Sequence, residues 1–144
     1  MAFTGNFMCT SFKVEILKAV HNFTNSTGNM FNIAMYTNSA SFTAATTAYT
    51  ATNEVSGTAY VAKGNTLVNV TPTSSSTTAL TDFSDSTWSS STITARGAMI
   101  FNDTASGDPS VVILDFGSDK SSSSGDYTIV FPTADSSSAI IRIA

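Results

Sequence analysis

His21 is the chain's one imidazole and Cys9 its one thiol, so nucleophilic or metal chemistry would have to start from them. A serine nucleophile needs a base, normally a histidine, held by a third group. With 23 Ser among 144 residues, some hydroxyl will lie near any point of the fold, and closeness to His21 would mean little. No Gly-x-Ser-x-Gly elbow occurs. His21 falls at the end of a predicted helix, where a cation is favoured, and reads as a surface or capping residue. A reactive thiol needs a basic neighbourhood. Cys9 has only Lys13 nearby in sequence and reads as a small structural residue that, being alone, forms no internal disulfide. One His and one Cys are too few for a zinc site.

The carboxylates are the next candidates. All eight Asp lie after residue 80, and Asp82/Asp85 or Asp115/Asp119/Asp126 have the residue types of an acid–base pair in a sugar-cleaving cleft. Turn chemistry alone also brings Asp residues together. Asp115-Phe116-Gly117 spells the magnesium triplet of protein kinases without any companion motif, and reads as a strand end turning at Gly117. Asn102 to Asp108 places oxygen atoms at alternate positions, faintly like a calcium loop. The twelfth position, where a bidentate Glu belongs, is Ile113, so a plain surface turn is expected. Asn-x-Ser/Thr sequons at Asn22, Asn25, Asn69 and Asn102 carry no information without a secretory signal. No enzyme, no metal and no cofactor is expected.

Six Lys+Arg against ten Asp+Glu cannot build a dense phosphate-binding stripe, so no nucleic acid is expected as a partner. No apolar run approaches the roughly 20 residues of a membrane span. The first residues lack a basic stretch followed by an apolar one, and synthesis in a reducing cytoplasm is the expectation. Charge is uneven: residues 1–64 carry a net +1 and residues 65–144 a net −5.

The elements that would position any of these groups are mostly short strands. A third of the chain is Ser or Thr, while 42% is apolar and only 11% charged, so hydroxyls rather than charges clothe the surface. The length suits one domain, 1–144. Its expected parts are an N-terminal arm (1–10), one amphipathic helix (11–23) and a β-sandwich or jelly-roll-like barrel (28–144). The helix rests on Phe12, Ile16, Ala19/Val20 and Phe23 at helical spacing, with Thr10 or Ser11 as cap. Strands are predicted at 31–37, 57–62, 66–71, 77–83, 91–101, 110–116, 127–131 and 139–143. Lys63-Gly64-Asn65 predicts a hairpin between two of them. Ser121–Ser124 and Ser136–Ser138 are expected to be turn tips, and residues 38–56 fit either a loop or an irregular helix.

Particular strings then resemble a known class. Ser11-Phe12-Lys13, Phe31-Asn32-Ile33-Ala34-Met35-Tyr36-Thr37, Asn53-Glu54-Val55-Ser56-Gly57, Trp88, Thr94-Ala95-Arg96-Gly97-Ala98 and Ile140-Ile141-Arg142-Ile143-Ala144 are similar to small virion structural proteins of tailed bacteriophages. Such proteins are common in phages of aquatic bacteria and cyanobacteria. The resemblance covers almost the whole chain and supplies no catalytic residue. It implies a place in the virion after synthesis in the host cytoplasm. The expected role is that of a capsid decoration (cement) protein, binding the major capsid protein and copies of itself, with trimers common in such assemblies. The alternative is a tail-associated component of fibre, collar or baseplate, touching a host glycan through an exposed aromatic platform at Trp88 and Tyr49. Phe3, Phe7, Phe12 and Ile16 are the expected partner interface. Arg96, paired to an Asp in a two-pronged contact, Glu54, fixing a turn, and Trp88 are the expected structural residues.

Overall fold

The computed structural model describes residues 3–144. It is mainly β, with 44% strand and 6% helix, in antiparallel sheets arranged like a sandwich, as the strand-and-breaker pattern predicts. Ten strands and one helix follow one another among the described residues: β1 (Phe7–Met8), α1 (Thr10–Leu17), β2 (Phe31–Tyr36), β3 (Asn65–Thr66), β4 (Asn69–Ser75), β5 (Thr78–Phe83), β6 (Ser86–Ser91), β7 (Thr94–Asn102), β8 (Ser110–Ser121), β9 (Gly125–Ile129) and β10 (Ile141–Ile143). They form a five-stranded sheet β1-β8-β7-β2-β3, a three-stranded sheet β10-β5-β4 and the pair β6-β9.

β2 explains the layering. All six of its residues are buried, so both faces of the five-stranded sheet are covered. On one face, Phe31 stacks on Phe23 with ring centroids 4.3 Å apart and meets Phe83 of β5. The three-stranded sheet and the 18–30 segment therefore close that side. On the other, Tyr36 meets Phe42 edge-on at 4.7 Å and Phe101 stacks on Tyr49 at 4.7 Å. The irregular segment 37–64 closes this second side. It contains no α-helix, which resolves the 38–56 ambiguity in favour of a loop.

The longest feature is a bent ribbon. β7 pairs β8 from Phe101↔Ser110 to Thr94↔Ser121, and β6 pairs β9 from Ser91↔Gly125 to Ser86↔Ile129. Residues 86–102 and 110–129 are thus two near-continuous antiparallel strands around one turn. Ser121–Ser124, expected as a turn tip, is instead the end of β8 and an irregularity inside the ribbon. The Ser122 N–H donates to Ile93 O at 2.9 Å, and the hydroxyls of Ser91 and Ser122 lie 2.7 Å apart. Small hydroxyl side chains fit here because Ser91 is wholly buried. Gly117 likewise does not end a strand. With φ +76°, it sits in a bulge that inserts extra residues of β8 between the Gly97↔Asp115 and Ala95↔Lys120 pairs.

Several local expectations are corrected. The helix ends at Leu17, six residues early, because Ala19 takes a left-handed φ of 55° and turns the chain so that Phe23 can reach Phe31. It is not amphipathic: Phe12 alone is buried, while Val14 and Leu17 are exposed. Its N-cap is Cys9, with no side-chain capping bond. Lys63-Gly64 does turn, with Gly64 N–H on Val61 O, but it joins no hairpin. Residues 57–62 form no strand, and β3 pairs with β2 instead. Gly64 presses so closely on β2 that a Cβ would lie 1.8 Å from Ile33 O, which accounts for glycine at a positive φ.

Candidate partner interface

The N-terminal arm is not free. Phe3 is 1% exposed and lies over Gly97, where any Cβ would meet its ring. Its neighbour across the core is Phe42, edge-on at 5.7 Å. The following residues are tied to β8. Gly5 N–H donates to Asp115 Oδ2 (3.1 Å), Asn6 Oδ1 accepts from Asp115 N–H (2.7 Å), β1 pairs at Phe7↔Ile113 and Met8↔Val112, and Cys9 N–H reaches Val111 O. Phe12 is also fully buried, against Phe23 and the His21 ring. Phe3 and Phe12 are therefore core residues and not docking residues. Their aromatic surface is already spent on the domain's own sheet. Met1 and Ala2, the rest of the expected arm, lie outside the described residues. Phe7 and Ile16 remain partly accessible, and each lines a groove.

Those grooves flank the last strand. Strand alternation sends Ile140 and Arg142 to one side of the 138–143 segment and Ile141 and Ile143 to the other. On the first side a groove of about 590 Å³ runs between β1, β8 and the 129–140 segment, lined by Phe7, Met8, Phe116, Ile129, Val130 and Ile140 among others. On the second, a smaller and more apolar notch of about 130 Å³ is lined by Ile16, Phe23, Pro72, Leu80, Ile141 and Ile143. Val130 (72% exposed) and Ile143 (53%) line them, and Leu17 (88%) follows the notch residue Ile16 in the chain. Val14, Met30, Val61 and Val68 are also exposed; Val130 and Ile143 are set apart by lying along these two grooves. β10 is the outer strand of its sheet, with backbone groups open to strand addition.

Arg96 and Asp115 sit beside the larger groove. Arg96 Nε donates to Asp115 Oδ1 at 3.2 Å, and both side chains are only 12% exposed. The same carboxylate accepts the N–H groups of Gly117 and Gly5, and these bonds, the Gly117 one foremost, together with Arg96 hold its pKa below the usual range. One carboxylate thus joins the β8 bulge, the N-terminal segment and Arg96. We expect Arg96→Ala to lower unfolding free energy by about 2 kcal/mol, since it strands a mostly buried carboxylate. An unchanged thermal midpoint would show that the pair is ornamental.

Glu54 organises the covering segment. Its Oε2 accepts from Tyr49 OH (2.5 Å), and its Oε1 from Tyr60 OH (2.8 Å) and Lys63 N–H (2.7 Å). Tyr60 OH also accepts from Met35 N–H (2.8 Å) in β2. The repeated Thr-Ala-Tyr strings at 47–49 and 58–60 therefore place two phenols on one carboxylate, a pairing that three-residue similarity could not reveal. Burial first, and then the Glu54 hydrogen bond, push Tyr49 up to about 12. Burial alone pushes Tyr127 to about 12 and is the leading cause of the raised Tyr36 and Tyr60.

All four tyrosines of the chain thus hold their protons above the ordinary value of about 10. A folded-state pKa above the unfolded one contributes stability that is complete below pH 10 and is lost as pH rises through the folded value. An absorbance titration should show no phenolate forming near pH 10, and then one step that coincides with loss of the β circular-dichroism signal. A tyrosine ionising near pH 10 in folded protein would contradict this.

The remaining candidates are structural. His21, expected as a surface or capping residue, has a fully buried side chain; its Nε2 is 2.8 Å from Glu15 Oε2 and its Nδ1 is 3.0 Å from Asn102 Nδ2. Both ring nitrogens are engaged within a nest of phenylalanines. In the 102–108 turn, the position of a cation is taken by the Lys63 ammonium, 2.7 Å from Asp103 and 2.8 Å from Asp108. Those two carboxylates hold the Lys63 pKa above its usual range. No group of three or more His, Cys, Asp or Glu gathers among the described residues. Three of the candidate carboxylates bind backbone: Asp82 accepts from Phe83 and Ile140 N–H, Asp85 from Phe131 N–H and Asp126 from Ser90 N–H. Trp88 is 3% exposed, stacked on Tyr60 and edge-on to Tyr127. Tyr49 lies against Phe101, so the two residues named as an aromatic platform form none.

Compared with known proteins, the chain matches no family model, no curated sequence and no solved structure.

Proposed function

We propose that this chain is a non-enzymatic phage virion structural protein, a capsid decoration (cement) protein that binds the major capsid protein lattice and copies of itself. The observation that carries the reading is the pair of grooves on either side of the 138–143 segment, the larger of mixed polarity and the smaller apolar, with Val130 and Ile143 exposed along them. The Ile140–Ala144 string that walls both grooves is among those resembling virion proteins. Its binding energy would come from apolar burial and from strand addition at β10, with no covalent chemistry.

The tail-associated alternative drew its support from an aromatic platform at Trp88 and Tyr49, and both are packed into the domain. Co-sedimentation of the purified chain with heads that lack it tests the reading. Saturable binding to heads is expected. Failure to bind heads together with binding to tails or host cells would overturn it.

A further inference from the structure

In the smaller notch beside β10, the polar side chains that line the wall are already engaged. Thr81 gives its hydroxyl to Val70 O at 2.6 Å, and His21 has both ring nitrogens occupied, by Glu15 and by Asn102. The rest of the wall is mainly Ile16, Phe23, Leu80, Ile141 and Ile143, and no Lys, Arg, Asp or Glu lines it. A charged or hydroxyl-bearing group entering here would lose water without a partner in return. At about 130 Å³, the notch is a little smaller than an apolar cavity of about 150 Å³ that takes up benzene. It has room for one branched aliphatic side chain.

The same face carries such a side chain. Leu17 follows the notch residue Ile16 and, at 88%, is the most exposed large apolar residue among those described. Val14, three residues earlier on α1 and so on the same helix face, is 47% exposed.

The chain is closed tightly behind Leu17. Lys18 N–H bonds Glu15 O (3.1 Å), Ala19 N–H bonds Ile16 O (3.1 Å) and Val20 N–H bonds Glu15 O (3.0 Å). The Glu15 carboxylate is itself held by His21 at 2.8 Å. Leu17 is thus presented on a fixed turn, and docking it would order little further backbone.

We infer that two copies of this chain pair through this face, the Leu17 of each filling the notch of the other. A projection and a hollow side by side on one patch are self-complementary about a two-fold axis. Apolar burial drives the contact. It is small beside a standard interface, so a reversible dimer with a Kd of about 100 μM is expected. The pairing rests on the proposed contact between copies and assigns it to the notch, which leaves the larger groove for the lattice.

The test is sedimentation equilibrium of the full chain, without heads, from about 10 μM to about 1 mM. A monomer–dimer equilibrium is expected, with amide NMR shifts on dilution centred on residues 14–17, 79–81 and 141–143. Leu17→Glu should weaken it at least about tenfold. Ala79→Phe, at an exposed position in the notch wall, should do likewise by filling the notch from its own chain. Val61→Glu, exposed on the other face, should dimerise as wild type. A chain that stays monomeric would overturn the inference and leave the notch to the lattice. A trimer, or a dimer undiminished by both notch-face variants, would also overturn it. Heads play no part, so a dimer that failed to bind heads would count against the head reading alone.

Discussion

Phe3→Ala is expected to lower the unfolding free energy of the isolated chain by about 3–5 kcal/mol, the range for deleting a buried phenylalanine ring. Phe3 is 1% exposed, packed on Gly97 and edge-on to Phe42. Gly97 has no side chain with which to fill the space, and Leu114 O lies close to it, so collapse around the missing ring is hindered. For a chain of this size the thermal midpoint should fall by about 10 °C. Urea unfolding of wild type and variant, without any partner present, gives the answer. An arm that docked only on a neighbour would leave those curves superimposed. The prediction therefore separates an N-terminal segment that completes its own sheet from one reserved for assembly.

The second large effect concerns binding and should leave stability alone. Leu17, Val130 and Ile143 are exposed, so replacing all three by Glu should change the unfolding free energy little. If the grooves beside β10 meet the capsid lattice, the same triple variant should lose head affinity by about a hundredfold or more, because three anchors would each bury an unpaired charge. A control at Val61, also exposed but in the 37–64 segment on the other face of the sheet, should bind as wild type. Equal binding by the triple variant would move the docking surface elsewhere.

The docking of the arm on its own domain has no local signature. Phe3 and Phe7 stand in a stretch of polar and small residues, which looks like a tail with sticky points. Nothing local says that Gly97, far along the chain, leaves a slot for one ring and that β8 leaves an edge for the next few residues. Local patterns worked where the cause was local: β2, β5 and the start of β8 are runs of apolar and β-branched residues bounded by breakers. They failed where a distant partner decided the matter. Ser122–Ser124 has the composition of a turn, yet Ser91 and Ile93 hold it inside a ribbon. β6 went unseen because five of its six residues are Ser or Thr and its one large side chain, Trp88, finds its neighbours across the ribbon and in Tyr60.

The candidate site was legible in the same uneven way. The Arg96–Asp pairing could be anticipated from the rarity of arginine within a strand. Glu54 was noticed as one of only two Glu, but its role as the shared acceptor of Tyr49 and Tyr60 depends on a fold of residues 37–64 that has no period to read. The grooves beside β10 had no signal of their own. Ile140 to Ile143 looks like any short strand, and only the assembled fold leaves one of its edges uncovered.

The most direct measurement of the central claim is the copy number of this chain in purified virions, from the intensity of its band relative to that of the major capsid protein. A lattice-binding protein repeats with the symmetry of the shell, so a count on the order of hundreds per particle is predicted. A count of a few dozen or fewer would place it in the tail and contradict the account.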